Sequence, residues 1–199
     1  MDLRDDPRIA ALGEVYWPRL LGNVREIQEL AVAYWEAGKR IEGHSAGARG
    51  PKLAAFAAAG VTSCHEATTA DEAAALLRLG FFVLLREGSV RRDLAETLGI
   101  RRLGIALDRV GLASDGLWPD ALADGGYMDA VVQRAIDLGV DPVTAIRMAT
   151  VNTGRYFGFE RQFGSVAPQR EADLIVVPSE RKIQPETVVS RGRVLMRDG

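Results

Sequence analysis

The chain has two histidines, His44 and His65, and both stand where a short strand-like run gives way to a helical pattern. Other polar groups occupy the same kind of junction. Glu14 closes the run "RIAALGE", Glu66 follows His65, Arg86 and Glu87 follow "FFVLL", and Asp115 follows "DRVGLAS". Imidazole nitrogens and carboxylate oxygens together form a mixed donor set that suits zinc, manganese or iron, and such an ion supplies a hydroxide nucleophile near neutral pH. Each residue also has a plainer reading. A histidine at a strand end can be a satisfied polar group, Glu14 a capping or surface acid, and Asp115 in "ASDG" a turn residue. Arg86 and Glu87 fit an ion pair at a sheet rim as well as a substrate contact. Strand alternation turns Cys64 away from His65, which favours a buried structural thiol over a ligand. Trp17 and Trp118 lie just after strand ends, where they could line a pocket. Spacing alone leaves the metal site and the plain reading both open.

The elements that would position these residues alternate regularly. A strand is predicted over 8–16, and Asn23 is a good N-cap for a helix with Ile27, Leu30, Ala31 and Tyr34 on one face, stopped by Gly38. "RIEG" reads as a strand delivering His44, and Pro51 opens a helix closed by Gly60. "VTSC" delivers His65, and Thr69 with Glu72 fits a capping box over a helix closed by Gly80. "FFVLLR" is a continuous apolar strand, after which Ser89 can cap "SVRRDLAETLG". Two further helices are predicted in "YMDAVVQRAIDLGV" and "DPVTAIRMATVN", the second with Asp141 as N-cap and Pro142 as its first residue.

Successive βα units with buried strands imply an α/β fold with a parallel sheet and helices outside. No Gly-x-Gly-x-x-Gly follows the first strand, and the units are short and even. That favours a (β/α)₈-type barrel over a dinucleotide-binding sheet. In such a barrel the C-terminal ends of the strands converge on one face, where Glu14, His44, His65 and Asp115 would meet. After about residue 160 the helical period is lost, and "ADLIVV", "TVVS" and "RVLM" read as short strands of a second, β-type module. The expected division is therefore 1–160 for the barrel portion and 161–199 for the β segment.

The 199 residues are 47% hydrophobic and 26% charged, ordinary for a globular protein with a real core. A net charge of −2, with arginines dispersed among acids, offers no electrostatic footprint for nucleic acid or an anionic membrane. No run approaches a membrane span, the acidic N-terminus lacks a signal-peptide pattern, and a single cysteine excludes an internal disulfide. These features fit a cytoplasmic protein.

Several motifs together resemble a known family. The stretch from "GHSAGARGPKL" through "VTSCHEATTADEAAALLRLGFFVLLREGS", with "GLASD", "VVQRAIDLGVDPVTAIRMATVNTGRYFG" and "GSVAPQREADLIVV", is similar to the bacterial adenine deaminases of the amidohydrolase superfamily. The resemblance covers nearly the whole chain and implies strands 4–8 of a barrel followed by part of a small β-sandwich. It makes Glu14 the strand 4 bridging acid and His44 and His65 the ligands of strands 5 and 6. Asp115 becomes the strand 8 aspartate, binding metal and shuttling protons. Glu66 belongs to a His-Glu pair that acts on the ring, and Arg86, Glu87 and Ser89 face the purine. The implied cofactor is a divalent metal, manganese first, with iron or zinc as alternatives. The implied reaction converts adenine and water to hypoxanthine and ammonia, in an enzyme that is an oligomer of identical chains at full length.

Two departures qualify the resemblance. The strand 1 His-x-His of the family has no counterpart, so the chain reads as a fragment of a longer enzyme or as a catalytically silent half-barrel. Family members also commonly carry a second acid after the strand 8 aspartate, where this chain has Gly116. That position opens the alternative of a different cyclic amide or amidine as substrate.

Overall fold

A computed structural model describes residues 3–22 and 24–198, so the expected N-cap Asn23 lies outside the described residues. Nine α-helices, two 3-10 helices and eight strands follow one another among those residues. The strands of the first unit are β1 (Ala11–Tyr16), β2 (Arg40–His44), β3 (Ser63–Cys64), β4 (Phe82–Arg86) and β5 (Val110–Ala113). They form one parallel sheet in the order β1-β2-β3-β4-β5, each strand beside its successor in sequence. A doubly wound sheet reverses strand order at its ligand crevice, and here there is no reversal. The sequential order is the one expected of a barrel segment.

Between and after these strands lie α1 (Trp17–Leu21), α2 (Arg25–Glu36), α3 (Pro51–Ala58), α4 (Ala70–Arg78), α5 (Leu94–Thr97), α6 (Pro119–Gly125), α7 (Met128–Asp137), α8 (Pro142–Ala149) and α9 (Val151–Phe157). No helix among the described residues is long and apolar enough to cross a membrane. One contiguous core links the sheet to its helices. Phe56 of α3, Leu76 of α4, Ile41, Val83, Leu85 and Val110 of the strands, and Ala145 and Met148 of α8 are all buried in it. Completely burying a side chain such as that of Phe56 is worth about 1.5–3 kcal/mol, so a few such positions fix where each helix docks.

Local signals in the sequence account for most boundaries. Asp141 accepts the Thr144 backbone N–H at 3.0 Å, and Pro142 occupies the first turn of α8, as expected. Thr69 Oγ1 accepts the Glu72 N–H, but Glu72 reaches back to the N–H and hydroxyl of Thr68, one residue before the position of a standard capping box. Ser89 caps no helix. The helix expected over 89–99 begins only at Leu94, because 87–92 form a loop whose Ser89 hydroxyl accepts the backbone N–H of Trp118. The predicted strand 8–16 starts at Ala11, since Arg8 is turned to clasp Asp6. The α2 stripe is narrower than its spacing implies. Ala31 and Tyr34 are buried, but Leu30 is 41% exposed, because α2 lies over β1 and β2 at the end of the sheet. The helix expected over 141–152 breaks at Thr150, and α9 starts afresh from there.

The three β-type runs at the C-terminus form a separate antiparallel sheet of β6 (Leu174–Val176), β7 (Thr187–Ser190) and β8 (Arg193–Arg197).

Candidate active site

Parallel strands end on a common side, so the residues at the ends of β1 to β5 gather there. Glu14 lies in β1, His44 is the last residue of β2, His65 and Glu66 follow β3, Arg86 ends β4, and Asp115 stands two residues beyond β5. His44 Nδ1 is 3.2 Å from Glu14 Oε1, and His65 Nε2 is 3.1 Å from Glu14 Oε2. The two imidazoles face each other edge to face, with ring centroids 5.7 Å apart. Glu66 completes the group, its two oxygens each 3.6 Å from one histidine Nε2.

The ligand atoms fall into two sets of three, each within 4.8 Å of one another: Glu14, His44 and His65; and His65, Glu66 and Asp115. Each set mixes imidazole nitrogen with carboxylate oxygen, the chemistry that zinc, manganese and iron(II) sites use. Glu14 bridges both histidines by itself, one oxygen to each. That placement follows from a slip in the β1–β2 register between Leu12 and Val15, which puts Glu14 at the irregular position.

Arg86 organises the other half of the site. Its side chain is 1% exposed, yet its guanidinium contacts three carboxylates. Nη1 donates to Glu66 and, at 2.8 Å, to Asp115 Oδ2, while Nε and Nη2 both donate to Asp93 Oδ2 at 3.2 and 2.8 Å. Burial alone would favour the neutral form, but Glu66, Asp115 and Asp93 outweigh it and hold the guanidinium above its ordinary value. The Arg86–Glu87 ion pair, one of the two readings open for these residues, therefore does not form. Adjacent residues at a strand end point to opposite faces, so Glu87 turns outward and faces Arg134 of α7 at 3.9 Å. Burial, the main cause, raises the Glu87 carboxyl.

Ser89 and Glu87 line a cavity of about 250 Å³ with Tyr127 and Arg134. They do not join His44 and His65. Arg86 and Glu66 instead border a larger cavity of about 620 Å³, between the loop after β2 (45–50) and the loop after β3 (66–69). Cys64 is buried with Sγ 2.9 Å from Ser45 Oγ, and desolvation raises its thiol. Trp17 hydrogen-bonds the Ala46 carbonyl, bracing that loop, whereas Trp118 is 60% exposed.

Two residues that escaped sequence reasoning differ in their bearing on the site: Asp93 grips Arg86, whereas the hydrogen bonds of Glu42 go to Ser63 and Tyr156 and reach no site residue. Glu42, two positions before His44 and so on the same side of β2, receives the Tyr156 hydroxyl at 2.5 Å and that of Ser63. Tyr156 reaches it from α9 and stacks on Phe82, 4.4 Å between centroids. Burial, then the Glu42 carboxylate, pushes its phenol above the ordinary value. The period of two from His44 was the available signal for Glu42. Asp93 falls inside the helix expected over 89–99, and nothing in the spacing links it to Arg86.

Comparison with known proteins supplies a context for this geometry. Residues 36–195 match the model of the amidohydrolase family. An adenine deaminase of Cenarchaeum symbiosum is 38% identical over 195 residues, covering 97% of this chain and 32% of that protein. One from Nitratidesulfovibrio vulgaris is 39% identical over 198 residues, covering 99% of this chain and 34% of that protein. The chain thus spans about a third of the length of the curated relatives it matches. Among solved structures, a beta-aspartyl dipeptidase of Fervidobacterium islandicum superposes with a TM-score of 0.72 at 16% identity, over 96% of this chain and 58% of that one. A zinc-bound adenosine deaminase of Xanthomonas campestris gives 0.64 at 17% identity, over 98% and 54%. At such identities these two structures speak to the fold.

Proposed function

The chain belongs to the amidohydrolase family, and from that premise we propose that it carries the C-terminal part of a metal-dependent adenine deaminase site. The single observation that carries this reading is the Glu14–His44–His65 cluster, two imidazoles on one carboxylate with Glu66 and Asp115 alongside. The curated relatives at 38–39% identity bear the name adenine deaminase, which favours adenine among the substrates of such sites.

Glu14, His44, His65 and Asp115 would hold the divalent ion, with manganese as the proposed metal and iron or zinc as alternatives. When bound, that ion supplies a hydroxide nucleophile at neutral pH. Asp115 takes the proton released as the oxygen bonds to the amine-bearing ring carbon, then delivers it to the amine as the C–N bond breaks. Glu66 would take up the proton that water loses on becoming hydroxide and pass it to the ring nitrogen, which makes that carbon electrophilic, and Arg86 keeps both carboxylates oriented. Adenine and water give hypoxanthine and ammonia. The 620 Å³ cavity beside Glu66 and Arg86 is the proposed entry for the ring. Glu87 and Ser89 shape the loop after β4 rather than touch the purine.

Gly116 favours a second reading. A Cβ at that position would meet nothing within 4 Å, so space is open where the resemblance implies a second acid, and a different cyclic amide or amidine could use it. The test is a panel of adenine, other aminopurines and cyclic amides, assayed with the manganese-loaded protein that contains this chain. Ammonia release confined to adenine supports the first reading. Turnover of another ring alone selects the second, and no turnover of any substrate refutes both.

A further inference from the structure

Asp93 stands at the N-cap of α5, where an aspartate ordinarily accepts a backbone N–H of the first turn. Here it makes no such bond: its backbone is αR and its side chain caps nothing. Its carboxylate is spent on Arg86 instead, receiving both Nε and Nη2 on one oxygen. That grip fixes the plane of a buried guanidinium whose remaining nitrogen, Nη1, donates to Glu66 and Asp115 together. A planar guanidinium held along one edge has little freedom left at the other, so its orientation passes to whatever Nη1 touches.

The geometry points to Asp93 as a positioning residue that acts through Arg86 to hold Glu66 and Asp115 in register with each other. Asp93 touches neither of these carboxylates in any contact the structure records, and it belongs to neither candidate ligand set. Its loop supports the same arrangement. Ser89 N–H donates to the Gly116 carbonyl at 3.1 Å, tying the segment between Arg86 and Asp93 to the turn that carries Asp115. The assignment of proton-transfer roles to Glu66 and Asp115 rests on the deaminase reading; the Asp93–Arg86 linkage does not.

The test compares Asp93→Asn, Asp93→Glu and Arg86→Gln, and the double variant of Asp93→Asn with Arg86→Gln, in the metal-loaded protein that contains this chain. Readouts are kcat, KM, metal content per folded protein and melting temperature. Asp93→Asn should lower kcat per bound metal by about 10–100-fold, the usual range for a residue behind a metal or catalytic group, with KM within about twofold. In the Arg86→Gln background the same change should cost nothing further, because its path to the site is already cut. Asp93→Glu keeps the charge but adds a methylene that pushes the guanidinium, so kcat should fall while the melting temperature holds. That variant decides the matter if Asp93→Asn fails to fold. A lowered melting temperature with wild-type kcat would show a merely structural ion pair and overturn the inference, as would full additivity in the double variant. If the unsubstituted protein turns over no purine, the deaminase reading falls, and crystal structures decide this inference separately. Glu66 and Asp115 displaced in Asp93→Asn carry it, and both in place sink it.

Discussion

Gly88 is the tightest point of the site's scaffold, and replacing it with alanine should disable the site without touching any residue that does chemistry. A Cβ built on Gly88 would lie 1.9 Å from the Ser114 carbonyl oxygen and 2.6 Å from that of Gly116. Both are backbone atoms, so no side chain can swing aside. Restoring an ordinary contact of 3.4 Å requires a shift of 3.4 − 1.9, about 1.5 Å, between the loop after β4 and the loop after β5. Asp115 sits between those two carbonyls in sequence, and its 2.8 Å bond from Arg86 does not survive a displacement of that size. Overpacking of this kind costs about 1–3 kcal/mol of stability, and misplacing a reacting group by about 1 Å costs about 100-fold in rate. Gly88→Ala should therefore lose stability by an amount within that range, melt lower, and lose about 100-fold or more in kcat. Gly116→Ala is the control. Its Cβ meets nothing, though its φ of +94° adds strain, so it should cost stability with far less effect on rate. Steady-state ammonia release, thermal melts and a crystal structure of Gly88→Ala test this together. Wild-type kcat in Gly88→Ala, or an Asp115 that has not moved, would refute the reasoning.

His65→Ala should abolish both metal binding and turnover, whereas Cys64→Ala should leave both nearly intact and cost about 1–2 kcal/mol in packing and in the stranded Ser45 hydroxyl; metal analysis with a melt separates them. Phe56→Ala removes a completely buried ring stacked near Phe81 and should destabilise by about 3–5 kcal/mol in a denaturant titration while metal affinity in the folded fraction holds. Asp141 is held below its ordinary carboxyl value, first by the Thr144 N–H and then by the Thr144 hydroxyl. Its contribution to stability is therefore fully present above the ordinary value and is lost as pH falls through the lowered one. A carboxyl NMR titration should find its midpoint below 3.8, and a midpoint at or above that value would contradict the cap.

What the sequence determined by itself is the alternation of elements and the placement of polar residues at strand ends. Both follow from local rules. The period of two in "RIEGH", the unbroken apolar run of "FFVLLR", and the Asp141-Pro142 start of α8 each depend on neighbours within a few residues, so they can be read without a fold. Placing His44 and His65 at equivalent junctions was enough to suggest that they meet, because parallel strands carry their C-terminal ends to one side. The tertiary structure alone decided which partners those residues take. Arg86 and Glu87 are neighbours in sequence yet serve opposite faces, and the guanidinium chose Glu66, Asp93 and Asp115 from three separate segments. Ser89 looked like a helix cap and became a strut to Trp118, because the loop after β4 packs against the turn after β5 before any helix can start. A buried cation must find its counter-charges wherever the chain brings them within about 3 Å, and that distance is set by the packing of the sheet, not by spacing along the chain.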